Sequence, residues 1–216
     1  MKKTIFKLIL VILCITFFSC QKDDLSASKS SVTSDGLIKG KIVNFVPNSI
    51  DSVSAIIEYL DGSGSVSTTG DFSFILEVPE LGMILAEKGL TISDPNAMIG
   101  STVTFYSYLN KNLAGALKKC NYTNDSTAVT GMAYSYFIYS DRTFTMKGTH
   151  VNTYMFLNTT QSYVFNITLN KGWNELVRKL TSYTSSANIT TESISVTNNI
   201  TSDLQWQSLK EERELF

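Results

Sequence analysis

The chain has 216 residues, 43% of them apolar, with 19 acidic residues against 18 basic ones and a single histidine, His150. That is enough length and apolar content for a real core in one large domain or two small ones. Three arginines (Arg142, Arg178, Arg213) in a near-neutral chain exclude a phosphate-backbone binder, so no nucleic-acid partner is expected.

The chain opens with a positive stretch, Lys2, Lys3 and Lys7, followed by an apolar run from Leu8 to Phe18 broken only by Cys14 and Thr16. Eleven residues are too few to span a bilayer, which takes roughly 20, but they suit the core of a secretory leader over 1–19. Small Ser19 precedes Cys20, whereas large Leu13 precedes Cys14, so Cys14 reads as part of the apolar run. Phe17-Phe18-Ser19-Cys20 resembles a bacterial lipobox, departing from it at Phe18, where the pattern has a small residue. Gln21-Lys22-Asp23-Asp24 is similar to the export signal that directly follows the lipidated cysteine in Bacteroidota surface lipoproteins. The resemblance implies cleavage before Cys20, acylation (palmitate) of Cys20, and an outer-membrane lipid anchor with the folded part facing the cell exterior. More than one acyl chain anchors stably, so no transmembrane helix is required. Cleavage would remove three lysines and leave every acidic residue, giving the mature chain a formal charge of −4.

Leu25 to Asp35 is Ser-rich and aperiodic, and with the lipidated terminus reads as a flexible tether over 20–35. From Leu37 the period becomes two. Leu37 to Phe45 and Val53 to Tyr59 read as strands, Asp61-Gly62 and Ser63-Gly64 as a turn region, and Phe72, Phe74 and Leu76 as one face of a third strand. Gly40, Val53, Ala55, Gly70, Phe72 and Phe74 resemble the opening of transthyretin-like, carboxypeptidase-regulatory sandwiches. The likeness implies a stalk or binding platform more than an enzyme.

Glu80 to Leu90 is the one helical pattern, with Leu81, Leu85 and Ala86 on one side and Gly89 at its end. Ser93 to Asn96 is a turn. Strands then resume over Thr102 to Leu109, Leu113 to Cys120, Met132 to Tyr139 (apolar on both sides, hence central), Thr143 to Gly148 and Tyr163 to Leu169. Asn170-Lys171-Gly172 reads as a hairpin turn into Trp173 to Val177, Thr181 to Glu192 as a polar loop, and Ser193 to Val196 and Leu204 to Trp206 as the last strands. Leu169, Lys171, Gly172, Trp173 and Asn174, with Leu204 to Trp206, resemble the C-terminal half of Bacteroidota lipoproteins, a likeness that implies no chemistry. The expectation is an all-β chain, an antiparallel β-sandwich of Ig-like or transthyretin-like kind with one short helix and about ten strands, over 36–207. A charged tail follows over 208–216. A division near Pro95 into two small sandwiches is the alternative.

After the expected processing and lipidation, Cys120 is the one thiol left, without an intramolecular disulfide partner. It reads as a half-buried strand cysteine rather than a catalytic thiol. One histidine and one free cysteine do not make the usual zinc sets, and no phosphate loop or nucleophile elbow occurs, so no metal, cofactor or catalytic residue is assigned. Glu58, Glu77, Asp94 and Asp141 are the carboxylates to weigh for hydrolase chemistry. Tyr106, Tyr108, Tyr139, Trp173 and Trp206 are candidates for stacking on sugar rings, with core or cross-strand pairing as the competing role. Asp51-Ser52-Val53 and Asp125-Ser126-Thr127 resemble the Bacteroidota O-glycosylation motif, making Ser52 and Ser126 candidate acceptors. The expected function is non-catalytic binding or display at the cell surface, toward an extracellular glycan or an envelope protein. The alternatives are a structural or adhesin-like subunit pairing through an edge strand and a carboxylate-dependent accessory to glycan hydrolysis.

Overall fold

A computed structural model describes residues 30–57, 60–83, 88–100, 104–123, 128–187 and 189–209. The stretch expected to be a leader, Cys20, the expected export signal Gln21 to Asp24, Glu58, Ser126 and the tail from 210 lie outside the described residues.

β-branched and aromatic residues in alternation produce strands throughout. Among the described residues there are fifteen: β1 (Leu37–Lys41), β2 (Ser52–Ile57), β3 (Leu60–Ser65), β4 (Asp71–Ile75), β5 (Leu81–Met83), β6 (Leu90–Ile92), β7 (Met98–Gly100), β8 (Thr104–Leu109), β9 (Asn112–Cys120), β10 (Ala133–Ser140), β11 (Phe144–Tyr154), β12 (Thr159–Leu169), β13 (Gly172–Ser186), β14 (Ile189–Thr197) and β15 (Gln205–Leu209). The fold is all-β, as expected. In the stretch expected to be helical, Leu81–Met83 and Leu90–Ile92 are strands, while 84–87 lie outside the described residues. Cross-strand pairing of Leu81 with Gly100 and of Leu90 with Gly148 overrides the weak helical spacing there.

Among the described residues two large hydrophobic cores share one wall, beside a small third cluster of Ala133, Val177, Ile200 and Leu204. In the first, β1 and β4 form a small sheet across from β2, β8, β9 and β15. The two layers join at both margins, through a parallel bridge from Ile42 to Trp206 and an antiparallel one from Val66 to Phe72. Rings fill the space between. Trp206 meets Phe72 and Phe105 edge-on at 5.2 and 5.3 Å between centroids, and stacks on Phe137 at 5.9 Å. The second core holds Ile138, Phe144, Met146, Ile167, Leu176 and Ile194 among others. The shared wall is β10 and β13. Their alternation sends Phe137 and Trp173 into the first core and Ile138 and Leu176 into the second, so β10 is central and apolar on both faces. Residues beyond Pro95 line both cores.

Glycines mark two close approaches. Gly62 and Gly64, expected in a turn, lie within β3, where a Cβ would come within 2.9 Å of the Ile75 carbonyl oxygen and 2.7 Å of that of Ser73. Glycine lets β4 cross β3 at this point. At Gly40 a Cβ would meet Phe72 Cζ at 2.4 Å and Trp206 Nε1 at 2.6 Å. Gly40→Ala is therefore expected to destabilise the fold by about 1–3 kcal/mol through overpacking of these rings. Denaturant unfolding would measure it, and a loss below about 0.5 kcal/mol would mean the rings yield freely.

Asn170-Lys171-Gly172 makes a tight connection, but β12 and β13 are not neighbours. β14 lies between them, parallel to β12 and antiparallel to β13. The expected hairpin is thus split by a later strand.

Candidate functional site

The N-terminal segment is fastened to the body. Ser30 to Asp35, expected in the tether, pack on it: Val32 is buried, and Glu175 Oε2 accepts from the Ser31 N–H at 2.6 Å and from the Ser31 and Ser30 hydroxyls at 3.0 and 3.2 Å. Glu175 Oε1 accepts from Lys119 Nζ at 2.8 Å, in a pair whose side chains are almost fully buried. A buried carboxylate facing the entering strand explains why this part of the serine-rich stretch is held.

The candidate stacking aromatics divide. Trp173 and Trp206 are each 4% exposed and belong to the first core, and Tyr139 packs against that core, edge-on to Trp173. Their faces are occupied by other rings, so the two tryptophans do not form a sugar platform. Tyr106 and Tyr108 are half-buried on the outer side of β8, opposite in facing to core residues Phe105 and Ser107. Cys120 is fully buried. Ser52 lies half-buried on β2 and donates to Asp51 Oδ1 at 2.7 Å. The Asp51 carboxylate also accepts from the Asn110 N–H in the β8–β9 turn at 2.6 Å, and that bond, with the one from Ser52, holds its pKa below the usual range.

Asp94 and Asp141 do come together, but around Arg142 rather than across a cleft. Arg142 Nη2 lies 2.8 Å from Asp141 and Nη1 3.4 Å from Asp94. Asp141 also accepts from the Met98 N–H at 2.8 Å, and its pKa is lowered chiefly by Arg142. A carboxylate held ionised in this way is poorly suited to general-acid chemistry. Glu77 is exposed. Among the described residues no group of His, Cys, Asp and Glu is placed to hold a metal.

The feature missed in the sequence is an arm. Past the β10–β13 pairing, strands β11, β12, β14 and β13 run on together and end at one level. The β11–β12 connection is a single 3-10 turn, Met155–Leu157, closed by Asn158 at φ 49°. The Thr190 N–H donates to the Asn158 carbonyl at 2.9 Å, bringing the β13–β14 end beside it. Phe156 is wholly exposed, Met155 79% and Leu157 70%, with Ile189 at 60% on the neighbouring hairpin. From the wall into the arm runs a polar chain. Arg178 Nη1 and Nη2 donate to the Tyr134 and Tyr163 hydroxyls at 3.1 and 2.6 Å, Tyr163 donates to Gln161 at 2.5 Å, and Gln161 donates to buried Glu192 at 2.8 Å. Burial raises the Tyr163 pKa, with Arg178 opposing the shift. A connected network of this kind stiffens the arm against the wall.

Met132, Tyr134, Arg178, Leu180 and Ile194 line a recess with a cavity volume of about 10 Å³, room for about one water. That falls short of the roughly 300–1,000 Å³ usual for small-molecule sites. Comparison with protein-family models, curated proteins and solved structures returns no match to this chain.

Proposed function

We propose that this is a surface-exposed, outer-membrane lipoprotein, lipidated at Cys20, whose non-catalytic β domain binds or displays through its projecting arm. The location rests on one register of leader, Ser19, Cys20 and Gln21 to Asp24. The binding role rests on the exposed apolar turn Met155–Leu157, since soluble surfaces rarely present large apolar side chains side by side without use. The transthyretin-like opening agrees with a platform role. A glycan-stacking version keeps only Tyr106 and Tyr108.

The open strand edges of the arm support a second reading, pairing with another strand. Beyond Thr149, whose N–H donates to the Gly89 carbonyl, β11 has no partner strand on its outer side among the described residues, and the same holds for β13 beyond Leu180. Neither edge carries Lys, Arg, Asp, Glu or Pro over 149–154 or 181–186, the residues that usually discourage edge pairing.

Protease treatment of intact cells tests the location. Wild type is expected to be removed from the surface, and an Asp23→Ala/Asp24→Ala variant to be protected. If protease spares both, the domain faces the periplasm.

A further inference from the structure

We propose that the arm's apolar cap, Met155, Phe156, Leu157 and Ile189, inserts into the outer leaflet of the bilayer that holds the Cys20 anchor. Four observations favour lipid over a protein socket. The cap is convex: one turn carries three consecutive exposed apolar side chains, and a fluid phase can close around such a shape without a matching cavity. The arm around it is uncharged. Over 149–164 and 181–195 the only carboxylate is Glu192, which is buried on Gln161, and His150 is the only basic residue. No carboxylate or lysine would therefore have to be dehydrated at the surface. Some of the tip's backbone groups are met internally, through the Asn158 N–H to Met155 carbonyl bond, the Thr190 N–H to Asn158 carbonyl bond and the Thr159 hydroxyl on the Leu157 carbonyl, which lowers the cost of burial in lipid. Tyr154, 43% exposed at the base of the turn, offers the amphipathic ring that settles at a headgroup boundary.

Chain length supplies the remaining argument, which rests on the Cys20 anchor proposed above. The segment from Cys20 to Ser30 reaches at most about 35 Å when extended. Ser30 and Ser31 dock at Glu175, and β13 runs from there to Ser186 at the tip, roughly 35 Å at 3.3 Å per residue. Anchor and tip can therefore meet the same leaflet with the domain lying along it. The acyl chains and the cap would then act as two membrane signals on one molecule.

The test uses the mature chain made with Cys20→Ser, so that no acyl chain is present, floated with phosphatidylcholine vesicles. Binding is expected, little changed by salt because no charges contribute, and lowered about tenfold or more by Phe156→Ser. The variant's unfolding midpoint should match that of the unsubstituted chain, since Phe156 is fully exposed. Absence of binding, or binding indifferent to Phe156→Ser, overturns the proposal. So does a Phe156-dependent cross-link to an envelope protein in cells without vesicle binding, which would identify a protein socket. The lipidated full chain should leave vesicles dispersed, and clustering would overturn the same-leaflet placement. None of these outcomes alters the protease result on intact cells, so the two proposals fail separately.

Discussion

Lys119→Met is expected to destabilise the protein by about 3–5 kcal/mol, because it leaves the Glu175 carboxylate buried without its counter-charge. Lys119 Nζ is the cation at 2.8 Å, and the Glu175 side chain is fully buried. The donors left to Glu175 are the Ser31 N–H and two serine hydroxyls. These are neutral and belong to the segment that the carboxylate itself holds in place. The substitution should thus loosen residues 30–35 as well as lower the denaturation midpoint. Hydrogen exchange at Ser31 and Lys39, whose N–H groups donate to Glu175 and to the Ser31 carbonyl, would report the loosening. The double variant Lys119→Met/Glu175→Gln removes both charges and should recover most of the loss, since replacing a whole buried pair is often close to neutral. If Lys119→Met cost under about 1 kcal/mol, the pair would be acting like an exposed one. The contrast matters because the same carboxylate sets where the N-terminal segment meets the body.

Trp206→Ala is expected to cost about 3–5 kcal/mol, the range for deleting a large buried ring. Trp206 touches Phe72, Phe105 and Phe137, and its carbonyl accepts from the Val43 N–H where the two layers of the first core meet. Removal would open a cavity at the join. Trp206→Phe should cost much less, since the indole N–H has no hydrogen-bond partner among the described residues and little but volume is lost. Equilibrium unfolding of the two variants would separate ring volume from polar contact. A surface sugar platform would give the opposite result, a stability change within about 0.5 kcal/mol for either variant.

Period-two alternation made β1, β4, β8, β10 and the inner part of β12 readable, because each has one face or both against a core. Between β8 and β9 the structure turns on Asn110 and Lys111, which take positive φ, 50° and 66°, as a tight hairpin turn requires. The arm was not readable. Thr181 to Glu192 has the composition of a polar loop, yet Thr181 to Ser186 continues β13 and Ile189 onward is β14. Both halves are strands because each pairs with the other and β14 also pairs with β12, a partnership that no local pattern records. The same is true of β3, whose glycines look like a turn until β4 is seen crossing them.

The sequence by itself determined the all-β class, the alternating core positions of the wall strands and the order of apolar run, Ser19, Cys20 and Asp23-Asp24 at the N-terminus. These are local properties, set by side-chain period and by residues adjacent in the chain. Tertiary structure alone decided which aromatics are core, that β14 slots between β12 and β13, that Ser30 and Ser31 meet Glu175, and that the side chains of Met155, Phe156 and Leu157 are left exposed at the tip. Whether a Trp or a Phe faces a core or solvent depends on what lies opposite. That is fixed by pairing between strands distant in sequence, and alternation reports only that a strand has two faces, not what covers each of them.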